Sequence, residues 1–160
     1  MIRNLTLAAV LLAPLPLAAQ DLPSAPYLPL EMAVTAAQTA LQACAAEKHS
    51  VTVTIVARDG ATKVVLKADG SGPHTGSSAT GKAFGSASLG RDTAGLAEFI
   101  ATNPQNAGQR DMDDRLVLQA GGLPIRIGGA LVGGIGVGGA PSGDIDATCA
   151  RAGLDAIGAE

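Results

Sequence analysis

The amino-acid sequence predicts an α+β domain in which helices flank an antiparallel sheet. Two pairs of strand-like apolar segments support this prediction, residues 50–57 with 62–67 and residues 124–127 with 131–137. A glycine-containing turn signal joins the members of each pair, and short connections of this kind form β-hairpins. Because a hairpin joins antiparallel strands, the sheet is expected to be antiparallel, and the element order is α-ββ-αα-(β)ββ-α.

The first helix is predicted over residues 30–48, because apolar positions recur there at the spacing of one helix face. These positions are Leu30, Val34, Ala37, Leu41 and Cys44. They define the face that is expected to pack against the rest of the domain.

The middle of the chain is predicted to be a polar loop over residues 69–78, a Gly/Ala/Ser-rich helix over residues 79–89 and then a further helix. Asp92 or Thr93 is expected to cap that further helix. Asn103 precedes a proline and is expected to end it, since the residue before proline disfavours helical backbone.

The C-terminal part begins with residues 104–120, which are predicted to form a loop or a short irregular strand. The strand over residues 131–137 contains several glycines, and glycine within a strand marks a close backbone approach or a bulge. Ser142 is expected to cap the last helix. Asp144 and Asp146 then act as favourable charges in its first turn rather than as catalytic carboxylates.

Residues 1–20 are predicted to be a secretory signal peptide. Arg3 provides the positive start, residues 5–17 form an apolar run, and small residues follow as the cleavage site. A retained membrane anchor is the alternative, but prolines interrupt the run, which is short for a spanning helix. The rest divides into a linker (residues 21–29) and one domain (residues 30–160), expected in the periplasm or outside the cell with no membrane contact after cleavage.

The composition argues against several classes of function. The formal charge is −3 and no run of Lys or Arg occurs, so nucleic acid is not an expected partner. Aromatic residues make up only 2% of the chain, which leaves few stacking platforms for bases or sugars. The sequence shows no Ser-His-Asp set, zinc-ligand spacing or phosphate-binding loop, so no catalytic residue is predicted and the question of enzyme activity stays open.

Three stretches of the sequence resemble the GlcG-like haem-binding family. They are the strand–turn–strand segment from Val53 to Gly70, the Lys-Ala-Phe of residues 82–84 with Arg91, Thr93 and Leu96, and the glycine-rich residues 122–139 followed by Asp146 to Leu154. The resemblance implies a profilin-like arrangement of the sheet and helices. It also implies haem or a related tetrapyrrole as a cofactor and assembly into a homo-oligomer.

A haem ligand requires side chains that can bind its iron and its propionate groups. His74, in the polar loop, is the candidate iron ligand, with a solvated loop histidine as the alternative; His49 is a weaker candidate. Met112 offers a thioether. Three cations are candidates for pairing with the propionates, with simple surface solvation as the alternative: Lys82, Arg110 and Arg115.

Three functions remain after this reasoning. The leading hypothesis is an exported haem-binding protein that senses, stores or handles haem as a homo-oligomer. The second is an enzyme that degrades haem or acts on a small metabolite, with the cofactor supplying the redox chemistry. The third is an accessory or structural subunit without a ligand.

The two cysteines, Cys44 and Cys149, are expected to form a disulfide if the protein is exported, because thiols are oxidised outside the cytoplasm. Cys44 lies on the apolar face of the first helix. Cys149 shares a face of the last helix with Ile145, Ala152 and Ala156, and the profilin-like arrangement places these two helices side by side. The alternative is that both cysteines are small buried apolar residues.

Overall fold

The computed structural model describes residues 23–160 and contains one sheet with helices on both faces. The four strands are all antiparallel and lie in the order β2-β1-β4-β3, so the predicted α+β fold class is confirmed. None of the described helices is long and apolar enough to cross a membrane. The elements in chain order are α1 (Leu30–Ala46), β1 (Thr52–Ala57), β2 (Thr62–Lys67), α2 (Thr75–Leu89), α3 (Thr93–Thr102), a 3-10 segment (Pro104–Asp111), β3 (Gly122–Ile127), β4 (Ala130–Gly138) and α4 (Gly143–Asp155).

The glycines of β4 bring helix α2 close to the sheet. A Cβ added at Gly134 or Gly136 would collide with the backbone of α2, at Ala83 or Ala79 respectively. Two residues further along the same face, a Cβ at Gly138 would lie 2.9 Å from Ser78 Oγ. Alternate positions of a strand share one face. The predicted role of these glycines in a close backbone approach is therefore confirmed.

Helices α1 and α4 cover the other face of the sheet, and α1 packs through alanines rather than through its larger apolar residues. Its buried residues are Ala33, Ala36, Ala37, Ala40 and Cys44. The predicted face was wrong in part, because Leu30 is 58% exposed and Val34 and Leu41 are only half-buried. Large side chains would hold the two helices apart.

The contact between α1 and α4 is very close. A Cβ at Gly153 of α4 would lie 2.5 Å from the Ala36 carbonyl oxygen of α1. The structure joins the two helices by a disulfide between Cys44 and Cys149, whose Cα atoms are 5.5 Å apart. The predicted face of α4 was wrong in part: Cys149 is buried, Ile145 and Ala152 are half-buried, and Ala156 is exposed. The fully buried residues of α4 are Asp146, Cys149, Ala150, Gly153 and Leu154.

The predicted helix caps are present, whereas the boundaries of two predicted loops differ from the structure. Helix α2 begins at Thr75, so the loop before it is shorter than the predicted loop over residues 69–78. Asp92 caps α3 by accepting from the Gly95 N–H, and Ser142 caps α4 by accepting from the Ile145 N–H. Of the predicted loop or strand over residues 104–120, residues 104–111 form 3-10 turns instead, whereas residues 112–120 contain no helix or strand.

The predicted signal peptide lies outside the described residues. The described part of the predicted linker, residues 23–29, has no regular secondary structure. It is nevertheless anchored to the domain, because the Leu28 side chain is only 1% exposed and belongs to the main apolar core.

Candidate functional site

His74 stands at the N-terminal end of α2, as the residue immediately before its first turn. The side chain is exposed, and among residues 23–160 its imidazole makes no hydrogen bond. The ring lies over Gly72, where an added Cβ would be 2.8 Å from Cε1 and 3.0 Å from Nδ1. Neither ring nitrogen is engaged by a described residue, and the absence of a side chain at Gly72 leaves room for the ring.

The loop that carries His74 is fixed by Lys67, the last residue of β2. The Lys67 ammonium donates to the carbonyl oxygens of Ser71 and Gly72, each at 2.8 Å, and to Thr75 Oγ1 at 3.1 Å. Thr75 Oγ1 also lies 2.7 Å from Thr52 Oγ1 in β1. These contacts attach the loop to the sheet on both sides of His74.

Two clefts meet at His74, Ser78 and Gln119. The first cleft, of about 470 Å³, runs beside α2 toward the segment after the 3-10 turns. The second, of about 460 Å³, runs toward the loop between β4 and α4. Besides the shared residues, the first is lined by Ser77, Thr80, Gly81, Asp114, Arg115 and Val117. The second is lined by Lys82, Ala97, Leu118, Ala120, Gly139, Ala140, Pro141, Ser142, Gly143 and Asp146.

Arg115 forms the far wall of the first cleft. Its Nε and Nη2 donate to the two carboxylate oxygens of Asp113 at 2.9 and 2.7 Å, and its guanidinium carbon lies 3.9 Å from the centroid of the Phe84 ring. Hydrogen bonds from the Arg115 side chain, and next from its backbone, lower the pKa of Asp113 to about 2. The same ion pair raises the pKa of Arg115. Its Nη1 has no partner within the described residues.

Lys82 lies at the bottom of the second cleft in a buried ion pair. Its Nζ donates to Asp146 Oδ2 at 2.8 Å and to the Val137 carbonyl oxygen at 3.0 Å. The two charged side chains are only 4% and 3% exposed. The Ala140 N–H donates to Asp146 Oδ1 at 3.1 Å, so the carboxylate also fixes the loop before α4. Surface solvation of Lys82 is thus contradicted.

The other sequence candidates lie elsewhere. Arg110 and Met112 are exposed in and after the 3-10 segment, and neither lines the two clefts. His49 is half-buried and lines a separate cavity of about 400 Å³ with Glu47 and Cys149. The sequence reasoning missed Asp146 as a site residue, because only the fold brings it to Lys82.

Fold and clefts together define a small α+β protein that presents a free imidazole between two open clefts. The family model described as haem degrading protein HbpS-like matches residues 28–155, so the chain belongs to the HbpS-like family. The resemblance to the GlcG-like haem-binding group is thereby confirmed. No individually curated protein matches significantly.

Solved structures agree with this assignment. A double mutant of Streptomyces reticuli HbpS is 41% identical, with a TM-score of 0.80, over 89% of this chain and 97% of that one. The Klebsiella pneumoniae protein ORFY shares the fold at 20% identity, with a TM-score of 0.80 over 88% and 98% of the two chains. PduOC, solved in complex with haem, shares it at 20% identity, with a TM-score of 0.75 over 84% and 97%.

Proposed function

We propose that this protein binds haem, with His74 as the iron ligand. The observation that carries the proposal is the exposed imidazole, which has no hydrogen bond within the described residues and stands where two clefts meet. A neutral imidazole is a common axial ligand of haem iron. Membership of a family described as haem-degrading supports the same ligand.

The residues around His74 fit a tetrapyrrole with carboxylate side chains. Each cleft is of the size usual for small-molecule sites, and Val117 and Leu118 provide apolar contact. Arg115 keeps its Nη1 donors free while two other nitrogens bind Asp113. It can therefore bind a propionate without releasing its carboxylate partner. Arg110 and Met112 remain weaker candidates because they lie outside the clefts.

Titration with ferric haem tests the proposal. The wild-type protein should show saturable binding with a shifted Soret band, and His74→Ala should weaken the affinity at least tenfold with a changed spectrum. His49→Ala is the matched control and should bind like the wild type. Equal and unaltered binding by both variants would exclude His74 as the iron ligand and leave Met112 or a surface site.

Export and assembly belong to the same proposal. We expect a mature chain that begins at Gln20 or Asp21, and mass spectrometry of a periplasmic extract would detect it. We also expect a homo-oligomer, because the Gly/Ala-rich composition gives each subunit few large apolar side chains. A monomer mass by light scattering at micromolar concentration would contradict the assembly, and a mature species that retains residues 1–19 would contradict export by cleavage.

Degradation of haem is the second candidate function, and the description of the family favours it. Bound haem would supply the redox chemistry, and the protein would orient it and limit access of water. If the protein is catalytic, peroxide should bleach the Soret band faster in the complex than in free haem, and His74→Ala should reduce the difference. Equal bleaching rates would favour sensing or storage. A small-metabolite enzyme or a ligand-free accessory role remains only if haem does not bind saturably.

A further inference from the structure

We propose that the second cleft is a carboxylate-binding subsite in which the buried ammonium of Lys82 is the principal donor. Within residues 23–160, Lys82 and Asp146 are the buried charged residues, and lysine is rarely buried unless its charge is paired. Lys82 also lines a cleft. The subsite is distinct from iron coordination by His74. The inference therefore stands whether or not haem is the ligand that supplies the carboxylate.

The hydrogen bonds of Lys82 are incomplete. An ammonium has three donors, and Nζ uses two of them, for Asp146 Oδ2 and the Val137 carbonyl oxygen. No acceptor for the third is found among the described residues. Because an unmade hydrogen bond of a buried charged group is costly, an acceptor in the cleft would stabilise this ammonium.

The ammonium of Lys82 lies beside residues that line the cleft. Asp146, which binds Nζ directly, lines the cleft, and so does Ala140, whose N–H binds the same carboxylate. A Cβ at Gly121 would lie 3.0 Å from Nζ, so the Gly121 backbone packs against one side of the ammonium and has no side chain that would displace it. His74, Ser78 and Lys82 recur every four residues and lie in one row along α2, which connects the mouth of the cleft to its bottom.

The charges of the cleft favour a monoanion. Lys82 and Asp146 together carry no net charge, so a dianion such as phosphate would find no cation to compensate either of its charges. The N–H groups of Gly143 and Asp144 at the start of α4 have no partner within residues 23–160, and their dipoles partly offset Asp146. Ser78 Oγ, likewise without a side-chain hydrogen bond in that range, can donate to a second ligand oxygen. One carboxylate matches this set.

Two sources could supply the carboxylate: a propionate of haem or a free carboxylic acid. For the first source, the affinity for haem is compared with the affinity for its dimethyl ester, because esterification removes only the propionate charges. For the second source, acetate is added to the haem-free protein, and its binding is monitored through the amide chemical shifts of Ser78, Ala140 and Gly143. These measurements on the wild-type chain do not depend on any variant folding.

The matched variant is Lys82→Met combined with Asp146→Asn, in which an amide oxygen at position 146 can still accept from the Ala140 N–H. Both charges are removed together, because removing one member of a buried ion pair leaves an uncompensated charge. Thermal unfolding would verify that the double variant folds. His74 is unchanged in it, so iron coordination should persist with the same Soret position.

We expect the wild type to prefer haem over the ester by at least about tenfold, as one charge-assisted hydrogen bond predicts, and the double variant to lose most of that preference. Saturable acetate shifts that vanish in the double variant would support the subsite through the free acid instead. The inference would be overturned if the double variant prefers haem over the ester as strongly as the wild type does and acetate shifts no amide resonance of the wild type. If haem binds to neither protein, the proposed function fails, and the acetate measurement alone decides the subsite.

Discussion

At the scale of single residues, the place of the His74 ring depends on a glycine. Gly72→Ala would put a Cβ 2.8 Å from Cε1, so the imidazole must turn away. We expect a shifted His74 ring resonance in the haem-free protein and weaker haem binding. Gly76→Ala is the control, because an added Cβ there meets no atom within 4 Å. An unmoved His74 resonance in Gly72→Ala would contradict the packing.

Asp113 provides a pH test of the first cleft. The pKa of its carboxyl is lowered from 3.8 to about 2, mainly by the hydrogen bonds from Arg115. Because the folded-state pKa is lowered, the stabilising effect of the pair is present above the unfolded value and is lost as the pH falls through about 2. A carbon-13 NMR titration should show this midpoint.

Substitution of Arg115 identifies the cause of that lowered pKa. Arg115→Met should raise the pKa of Asp113 toward 3.8, and Arg110→Met should leave it unchanged, because Arg110 does not bind that carboxylate. A midpoint near 2 that persists in Arg115→Met would show that another group lowers the pKa.

The ion pair between Lys82 and Asp146 could not be predicted from the sequence, in contrast to the helix caps. The caps of α3 and α4 could be predicted because Asp92 and Ser142 act on residues three positions away. Lys82 and Asp146 are separated by 64 positions. Their pairing depends on how α2 and α4 meet around β4, which no local pattern encodes.

At the scale of elements, the domain packs through its smallest residues. Hydrophobicity ranks leucine and valine above alanine, so the sequence pattern selected Leu30 and Val34 for the buried face of α1. The structure instead buries alanines, because a helix pair in backbone contact has no room for larger side chains. Periodicity thus predicted the helix correctly but placed its buried face partly on the wrong residues.

The close contact between α2 and β4 gives a sharp stability test. In Gly136→Ala, the new Cβ would collide with the Ala79 carbonyl oxygen and approach the Ala83 nitrogen. Both obstacles are backbone atoms that cannot rotate aside. We expect a loss of unfolding free energy on the order of 1–3 kcal/mol or more, as for overpacked cores, measured by urea denaturation.

Gly76→Ala is the matched control within α2. This position is open, and alanine favours helix over glycine by up to about 1 kcal/mol. The control should therefore be neutral or slightly stabilising. A tolerated Gly136→Ala, with stability equal to that of the control, would contradict the contact between α2 and β4.

At the scale of the whole molecule, the sequence predicted the sheet and the order of its flanking helices, since hairpin turns and helical periodicity are local signals. The turns at Gly60 and Gly128-Gly129 adopt the positive φ values that favour glycine. The positions of the clefts could not be predicted from the sequence, because they depend on contacts between distant segments. At Gly81, for example, an added Cβ would lie 2.8 Å from the Arg115 carbonyl oxygen and would displace the segment that forms the wall of the first cleft.

The disulfide is the covalent link that acts on the whole molecule. Cys44 and Cys149 are 105 positions apart, near opposite ends of the domain. Closing a loop of that length lowers the entropy of the unfolded chain, worth about 4.7 kcal/mol by the chain-entropy model. The double variant Cys44→Ala with Cys149→Ala should therefore unfold at a markedly lower temperature than the oxidised wild type.

The oxidation state of the two cysteines decides whether that stabilisation operates. Thiol titration of the unfolded, unreduced protein should find no free thiol, and a non-reducing gel should show no covalent dimer. Two free thiols per chain would instead identify Cys44 and Cys149 as buried apolar residues. In that case a reducing agent would leave the melting temperature unchanged, and α1 and α4 would be held together only by noncovalent contacts such as that between Gly153 and Ala36.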